Sequence, residues 1–457
     1  MLAKEDNELI TDTNPGTPMG EVFRRFWLPV ALADELPSPD SVPLRLKVMN
    51  EDLIAFRDTN GNVGLMDANC PHRGAPMFFG RNEEAGLRCV YHGWKFDVSG
   101  RCVDIPNMPE GDTYRDKIKI KRYPVVEKGD LLWAYMGPAD QEPPFPHFQW
   151  ADMPRSHRYV TKYRLECNYL QAMEGDFDQT HARFLHSTLD QHTRNPGNRL
   201  RGNGIDNLGV GVDQEDPYPV AVGSRRVRQL PWTDLHESDI GMWLITAGEQ
   251  EDGKSFATAH SAWMMPIFSQ IGLAGPNTNG INMRVPIDNA SIFIFRLRWS
   301  YDPIPESEIA DYRHSGYSYP EMLPGSWTPK DNIHNDYNID RVAQRNFSYT
   351  GIRAFPTQDT ALIENQWGPI ADRTQEHLGS SDQQIIHIRR RLIATAKSLA
   401  AGNQLSEPFH AESFGHLRAR VIHDGTKSEA VELAKEHAMR PTPKTSQRVV
   451  VEAGLGI

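Results

Sequence analysis

Cysteine is scarce in this chain, with four among 457 residues. That is too few for a dense disulfide framework. It suits a reducing compartment, where closely spaced Cys and His more often mean metal or redox chemistry. Positive charge is not in excess either: 49 Lys and Arg against 60 Asp and Glu leave a net charge of −11. The basic residues are scattered, which argues against gripping a nucleic-acid backbone by bulk charge. No stretch approaches the ~20 apolar residues that span a bilayer. The N-terminus offers Leu9 and Ile10 but no apolar run of signal-peptide length. The expectation is a cytoplasmic protein with neither membrane nor nucleic acid as partner. Apolar residues make up 39% of the chain, with ten Trp, 18 Phe and 14 Tyr, so wholesale disorder is excluded. At roughly 100–200 residues per domain, the length allows two to four domains, and two large ones would fit.

From about Pro43 to Gly137 the texture is β, with short apolar runs (LRLKVMN, DLIAFRD, VGLMDA, LRCVYH, LLWAYMG) parted by turn signals such as Asn60-Gly61-Asn62 and Lys128-Gly129-Asp130. Strands this short suggest a small sandwich or barrel. A proline-rich stretch, residues 138–154, reads as a domain crossing. SIFIFRLRWS alternates Ile292, Ile294, Arg296 and Arg298 against Phe293, Phe295, Leu297 and Trp299, which predicts a strand with one face half exposed. An apolar stripe through Ile385, Ile388 and Leu392, closed by Gly402, predicts a helix from about Asp382 to Ala401. The basic run Arg389–Arg391 reads as its solvated face. A last helix is expected over SEAVELAKEHAM.

Two of the cysteines stand in matched surroundings. Cys70-Pro71-His72-Arg73-Gly74 is answered by Cys89-Val90-Tyr91-His92-Gly93-Trp94, with sixteen residues between His72 and Cys89. Thiolates are soft ligands for zinc or iron–sulfur iron, and imidazole serves either metal. A Cys2His2 zinc finger gathers its cysteines in one half and its histidines in the other. Here each half carries one of each, which suits a 2Fe–2S cluster with both Cys on one iron and both His on the other.

CPHRGAPMFFG with CVYHGWKF closely resembles the Rieske motif of ring-hydroxylating oxygenases. The resemblance implies that Cys70 and Cys89 bind one iron of the cluster and that His72 and His92 bind the other. It also gives Gly74 and Gly93 the tight turns and makes Trp94 a shield for the cluster. Cys102 and Cys167 fall outside the pattern and read as small buried residues.

A second constellation lies in NYLQAMEGDFDQTHARFLHS. Asp178 and His181 are three apart and would share a helix face. His186 is five residues further on, about 140° round an ideal helix, so it can join His181 only if the helix bends or ends between them. Non-haem Fe(II) that must bind O₂ wants two imidazoles and one carboxylate on one face. FPTQDTALIENQWGPIADRTQEHLG offers Asp359, Glu364, Asp372 and Glu376 for the third ligand. The resemblance picks Asp359, placed at the head of a long helix, with Glu364 as runner-up. It casts Asp178 as a carboxylate that bridges His181 of one subunit to His92 or His72 of the next.

The same motifs run in order over nearly the whole chain and look most like the phthalate-dioxygenase-type branch of oxygenase α subunits. The implied fold class is α+β: an N-terminal all-β Rieske domain followed by a helix-grip catalytic domain, an antiparallel sheet with a long C-terminal helix. The implied division is 1–26 as a segment packing on the catalytic domain, 27–138 as the Rieske domain, and 139–457 as the catalytic domain. The implied cofactors are a Rieske 2Fe–2S cluster and a mononuclear non-haem Fe(II). The chain has no Rossmann fingerprint and no plant-type ferredoxin spacing. Electrons would therefore come from a separate NAD(P)H-dependent flavin and iron–sulfur reductase, and the subunits would form a homotrimer or a dimer of trimers. The implied reaction hydroxylates an aromatic substrate with O₂, by cis-dihydroxylation or monooxygenation, with O-demethylation of a methoxylated aromatic as the alternative and bare electron transfer as a second. A substituted benzoate or phthalate-like compound is the expected substrate. Relatives often carry an Arg-Val-Thr strand just before Trp263, but here that stretch is Thr258-Ala259-His260-Ser261-Ala262. His260 becomes a candidate donor to substrate, and Arg225, Arg226 and Arg228 read as surface.

Overall fold

The structure, a computed structural model, describes residues 2–109, 113–178, 180–181, 184–186, 232–249, 255–272, 278–316, 318–346, 348–415, 420–424, 428–429 and 432. The short apolar runs of the first third become strands β1 (Trp27–Leu32), β2 (Leu44–Val48), β3 (Glu51–Arg57), β4 (Val63–Asp67), β5 (Arg81–Glu83), β6 (Gly86–Arg88), β7 (Lys95–Phe96), β8 (Cys102–Asp104), β9 (Arg122–Tyr123), β10 (Val125–Lys128) and β11 (Leu131–Tyr135). They pair antiparallel in three sheets, ordered β1-β11-β10, β2-β3-β4-β9 and β5-β6-β7-β8. The two cysteine–histidine loops leave β4 and β6. A core of their own lies beneath them, where Cys70, Cys89 and Cys102 pack with Ile54, Phe56, Met66 and Trp94.

The second half is built on β12 (Arg158–Leu165), β13 (Trp232–Ser238), β14 (Gly241–Glu249), β15 (Ser255–Met264), β16 (Phe268–Gly272), β17 (Thr278–Asp288) and β18 (Ser291–Ser300). They form one antiparallel sheet ordered β12-β18-β17-β16-β15-β14-β13, and β19 (Arg420–Asp424) pairs with β15. One face meets the first half, where Phe268 stacks on Trp133 with centroids 6.2 Å apart. The helix Tyr169–Phe177 lies on the other face, and its Asp176 reaches Asn282 of β17 at 3.0 Å.

The expected long helix spans Gln383–Ala400 and buries Ile388, Leu392 and Ala396 completely. The N-terminal helices Lys4–Thr11 and Pro18–Arg24 run beside it, the first tied by Lys397 to Asp6 at 2.8 Å. Most of the expected last helix lies outside the described residues, as do Arg225, Arg226 and Arg228.

Two sequence readings need correction. The basic run on the long helix is a solvated face only at Arg390, which is exposed. Arg389 is buried, donating to Glu174 at 2.5 Å and to Glu376 at 2.9 Å, and Arg391 is turned onto Ser238 O and Gly241 O. Nor is β18 half exposed. Arg296 and Arg298 are 7% and 6% accessible, because helices cover the face that alternation alone marks as polar.

Glu174, on the helix Tyr169–Phe177, also accepts from Arg373 at 3.0 Å. Burial by itself would push this carboxyl up. The charges of Arg373 and Arg389 and their hydrogen bonds outweigh it and hold the group below its ordinary 4.5. A depressed carboxyl stabilises the fold fully above its unfolded value and loses that contribution as pH falls through the folded one. Glu174→Gln should therefore cost roughly 3–5 kcal/mol near pH 7 by leaving buried guanidinium charge unpaired. Its gap to wild type in urea midpoint should narrow as pH falls below about 4.5. An equal gap at every pH would show that the ion pair is not what Glu174 contributes.

Candidate metal centres

The two cysteine–histidine loops are built alike. In the first, the N–H of Cys70 donates to Ala75 O at 2.8 Å and that of Gly74 to Cys70 O at 2.9 Å; in the second, Cys89 donates to Trp94 O at 2.8 Å and Gly93 to Cys89 O at 2.9 Å. Both turns close with glycine at positive φ, 69° at Gly74 and 80° at Gly93. At Gly93 a side chain would also strike Pro106 at 2.6 Å. The thiols are buried and the imidazoles half-buried. The His72 and His92 rings meet edge to face at 4.5 Å, and Trp94 lies flat on His72 at 4.4 Å.

These residues fit a two-iron cluster. His72 Nδ1 is buried without a hydrogen-bond partner, a nitrogen left for a metal. Burial pushes the Cys70 thiol up to about 11, a cost that a cation at the sulfur would remove. Donors around one tetrahedral ion, with bonds of about 2.0–2.3 Å, lie within roughly 4.6 Å of each other. Among the described residues, the group of three or more such donors gathered within 4.8 Å is elsewhere, at His181, His186 and Asp359. The four donors of the two loops are spread more widely than one ion allows.

That second group is assembled from two short segments. The helix Tyr169–Phe177 begins at Asn168, whose side chain accepts from Leu170 N at 3.1 Å while donating to Thr11 O and Asn289 O. It ends at Phe177, before any ligand. Asp178 then takes an extended backbone, and its Oδ1 accepts from Thr180 N and Oγ1 at 2.8 Å and from His181 N at 3.2 Å. The expected shared helix face of Asp178 and His181 is thus replaced by a side-chain-capped turn, which removes the 140° conflict with His186. The helix Phe355–Ile363 crosses close by at Gly175, where a Cβ would stand 3.2 Å from Ile363 Cδ1. Gln171 fastens the crossing by donating to Ile363 O at 2.8 Å.

The geometry is selective for one nitrogen of each ring. His181 Nδ1 bonds the Asp178 main-chain carbonyl at 2.8 Å, and His186 Nδ1 bonds Gln358 Oε1 at 2.8 Å. Both Nε2 atoms then face Asp359 Oδ1, at 3.4 Å from His181 and 3.2 Å from His186. Burial pulls the His181 imidazole down, but the hydrogen bond and charge of Asp359, with Asp178 adding, carry it up to about 9. Asp359, despite a burial that favours its neutral form, is held well below the ordinary carboxyl range by the two imidazoles. Two imidazoles and one carboxylate brought together are a donor set for non-haem iron.

A family model described as the Rieske [2Fe–2S] domain matches residues 26–124, and one described as LigXa C-terminal domain like matches 134–198 and 261–411. Over 88% of both chains the sequence is 33% identical to the phthalate 4,5-dioxygenase oxygenase subunit of Pseudomonas putida. The chain belongs to the Rieske oxygenases. It is also 32% identical to the 5,5'-dehydrodivanillate O-demethylase oxygenase subunit of a Sphingobium species, over 88% of this chain and 82% of that one. The fold is that of dicamba monooxygenase bound to dicamba, with a TM-score of 0.54 at 18% identity over 83% of this chain and 98% of that one. The cofactors of a Rieske oxygenase of this type are a [2Fe–2S] cluster and a mononuclear non-haem iron.

In this Rieske oxygenase Asp359 sits inside the nine-residue helix Phe355–Ile363, not at the head of the long one. The runner-up Glu364 is spent on structure, accepting from Glu166 N at 2.7 Å and Tyr337 OH at 2.6 Å. Asp372 caps Thr374, and Glu376 pairs with Arg389. His260 falls in β15 opposite Ile245; its side chain lies outside the described residues. Cys102 and Cys167 are both buried free thiols. The sequence reading missed Gln358, whose Oε1 accepts from His186 Nδ1 at 2.8 Å and whose Nε2 donates to Ile352 O at 2.7 Å. Its adjacency to Asp359 was the one available signal. Replacing it by leucine should weaken iron binding at His186 by about 10–100-fold. Equilibrium iron titration should show this with the visible spectrum of the cluster unchanged; unaltered iron affinity would remove Gln358 from the site.

Proposed function

We propose that this oxygenase hydroxylates an aromatic carboxylate, with His181, His186 and Asp359 as the iron ligands and Cys70, Cys89, His72 and His92 as the cluster ligands. The observation that carries the reading is the convergence of two Nε2 atoms on Asp359 Oδ1 while both Nδ1 atoms are held by protein oxygens. When bound, the cluster supplies electrons one at a time and the iron activates O₂. The chain itself does the positioning. Gln358 and the Asp178 carbonyl fix ring tautomer and angle, and the turn at Asp178 brings His181 round to the carboxylate. Within the substrate class, O-demethylation is the second reading, favoured by the demethylase relative that matches the chain over most of its length.

The further assignments belong to the same proposal: residues 1–26 as a segment on the catalytic domain, 27–138 as the cluster domain and 139–457 as the catalytic domain; a cytoplasmic homotrimer or dimer of trimers; and a separate NAD(P)H-dependent flavin and iron–sulfur reductase. The fitted turn supports the role of Asp178 between subunits. Oδ1 is committed to the turn, and Oδ2, half-exposed and 3.8 Å from His181 Nδ1, is the oxygen left to meet His92 or His72 of the next subunit.

Iron-loaded protein should contain three Fe and two acid-labile sulfides per chain. With a supplied reductase, phthalate or a methoxybenzoate should stimulate NADH-dependent O₂ uptake and yield a hydroxylated or demethylated product. Two Fe per chain after careful loading would leave only electron transfer. Asp178→Asn should keep both metals and lower turnover by at least tenfold. Turnover near wild type would rule out the bridge.

A further inference from the structure

Alternation in β18 puts Arg296 and Arg298 on one face of the sheet, the face that Asp176 touches through Asn282 and Arg284 of β17. This is the face over which the metal-ligand helices lie. Three arginines are buried there, Arg284, Arg296 and Arg298. Arg284 is paired with Asp176. Arg296 hydrogen-bonds neutral groups, Asn282 Oδ1 at 3.2 Å and Tyr163 OH at 3.4 Å, with the Asp176 charge acting on it without a direct pair, and Tyr163 lies within reach of the Asp359 charge. Arg298 donates no hydrogen bond and forms no ion pair among the described residues, although it is 6% accessible.

Such a group is costly to bury without an anion. Among the described residues no acid pairs with it, and Glu308, on the helix Glu306–His314, is taken up by the Tyr312 hydroxyl. Tyr159 stands opposite Arg298 on β12, and Gly280 opposite it on β17 contributes no side chain. Tyr159, Tyr312 and Tyr319 pack edge to face or tilted beside it, with centroids 5.3–5.7 Å apart. Arg296 lies over the Tyr319 ring at 5.2 Å, and the Tyr319 hydroxyl is itself buried without a partner. Two guanidinium groups and an orphan hydroxyl thus lie along one aromatic-walled cluster whose acids are already engaged, Glu308 by Tyr312 and Asp176 by Arg284.

We infer that Arg298, assisted by Arg296 and the Tyr319 hydroxyl, receives the carboxylate of the substrate. A guanidinium accepts a carboxylate in two parallel hydrogen bonds, and the tyrosines give the attached ring a flat apolar seat. The anion is therefore read from β18, and the departure of the Thr258–Ala262 stretch from an arginine-bearing strand does not argue against an acidic substrate. This inference rests on the aromatic-carboxylate reading above and names the residues that would enforce it.

The test uses the iron-loaded, cluster-containing full chain and calorimetric titration with phthalate, benzoate and 4-methoxybenzoate, each beside its neutral primary amide. Wild type should bind at least one acid about tenfold or more tightly than its amide. Arg298→Met should lose roughly 10–100-fold for that acid and little for the amide, while Arg298→Lys should recover part of the loss. Because Arg298→Met removes a buried side chain, Tyr319→Phe provides a gentler probe. It deletes a hydroxyl that holds nothing in the protein, so the melting temperature should stay put while acid affinity falls severalfold. Acid preference retained in both Arg298→Met and Tyr319→Phe would overturn the assignment and leave the substrate class standing. A wild type with no preference for acid over amide would overturn both.

Discussion

Two carboxylates, Glu174 buried and Asp176 half-buried, hold one short helix from opposite sides. Glu174 and Asp176 are about 200° apart on the helix Tyr169–Phe177 at 100° per residue. Glu174 reaches Arg373 and Arg389, joining the helix to the DRTQEHLG segment and to the long C-terminal helix. Asp176 reaches Arg284, Ser269 and Asn282, joining it to the sheet. Either contact alone would let the helix roll about its axis. Together they fix its rotation, and the residue after its last turn is Asp178, from which the ligand loop departs. A rolling helix would swing His181 away from Asp359, and at metal–nitrogen distances near 2.0–2.1 Å even a small rotation opens the site. The buried charge is thus spent on angular precision, a use of ion pairs for specificity in place of raw stability.

A comparable device joins the two halves of the chain. Lys162 of β12 is fully buried, and burial drives its ammonium below the usual lysine value even though Glu35 is beside it. Glu35 bonds Lys162 at 2.6 Å and also accepts from Trp327 at 2.9 Å and from Leu32 N at 2.8 Å. The rings of Phe293, Phe295 and Trp327 surround the lysine head at 4.7–5.6 Å. One acid from beside β1 therefore anchors a lysine and a tryptophan of the second half. The turn of the β2–β3 hairpin adds main-chain bonds, Met49 N to Pro286 O and Asn50 N to Ile287 O, both 2.8 Å. The cluster-bearing half is seated on the sheet by polar contacts with fixed directions, not only by apolar area.

What could be read from the sequence follows the range of each interaction. The cluster loops were legible because each packs its donors and its positive-φ glycine into five consecutive residues. His181 and His186 were legible for the same reason, although the helix expected to carry them stops at Phe177, where Asp178 caps the next turn instead of continuing it. The third ligand was reachable only through resemblance, since Asp359 is one of several acids in its segment and its partners are more than 170 residues away in the chain. Gln358 and Arg389 were not legible at all. An amide becomes an orienting group only when a ring nitrogen is brought to it, and a basic run reads as solvated until its acid, 215 residues earlier, is folded against it.

The arginines of β18 show the limit of periodicity most sharply. Alternation correctly divided the strand into two faces, but it carries no information on what covers a face. Elsewhere in the second half, buried basic groups are matched by acids: Arg373 and Arg389 by Glu174, Arg284 by Asp176 and Lys162 by Glu35. Against that pattern, an Arg298 without an acid partner among the described residues stands out as a site for an incoming anion. The same low dielectric that makes a buried guanidinium costly would make an arriving carboxylate bind strongly and in one orientation. Placing that charge on a strand paired on both sides, by β12 and β17, and two residues from Arg296, lets the sheet itself fix where a held carboxylate sits.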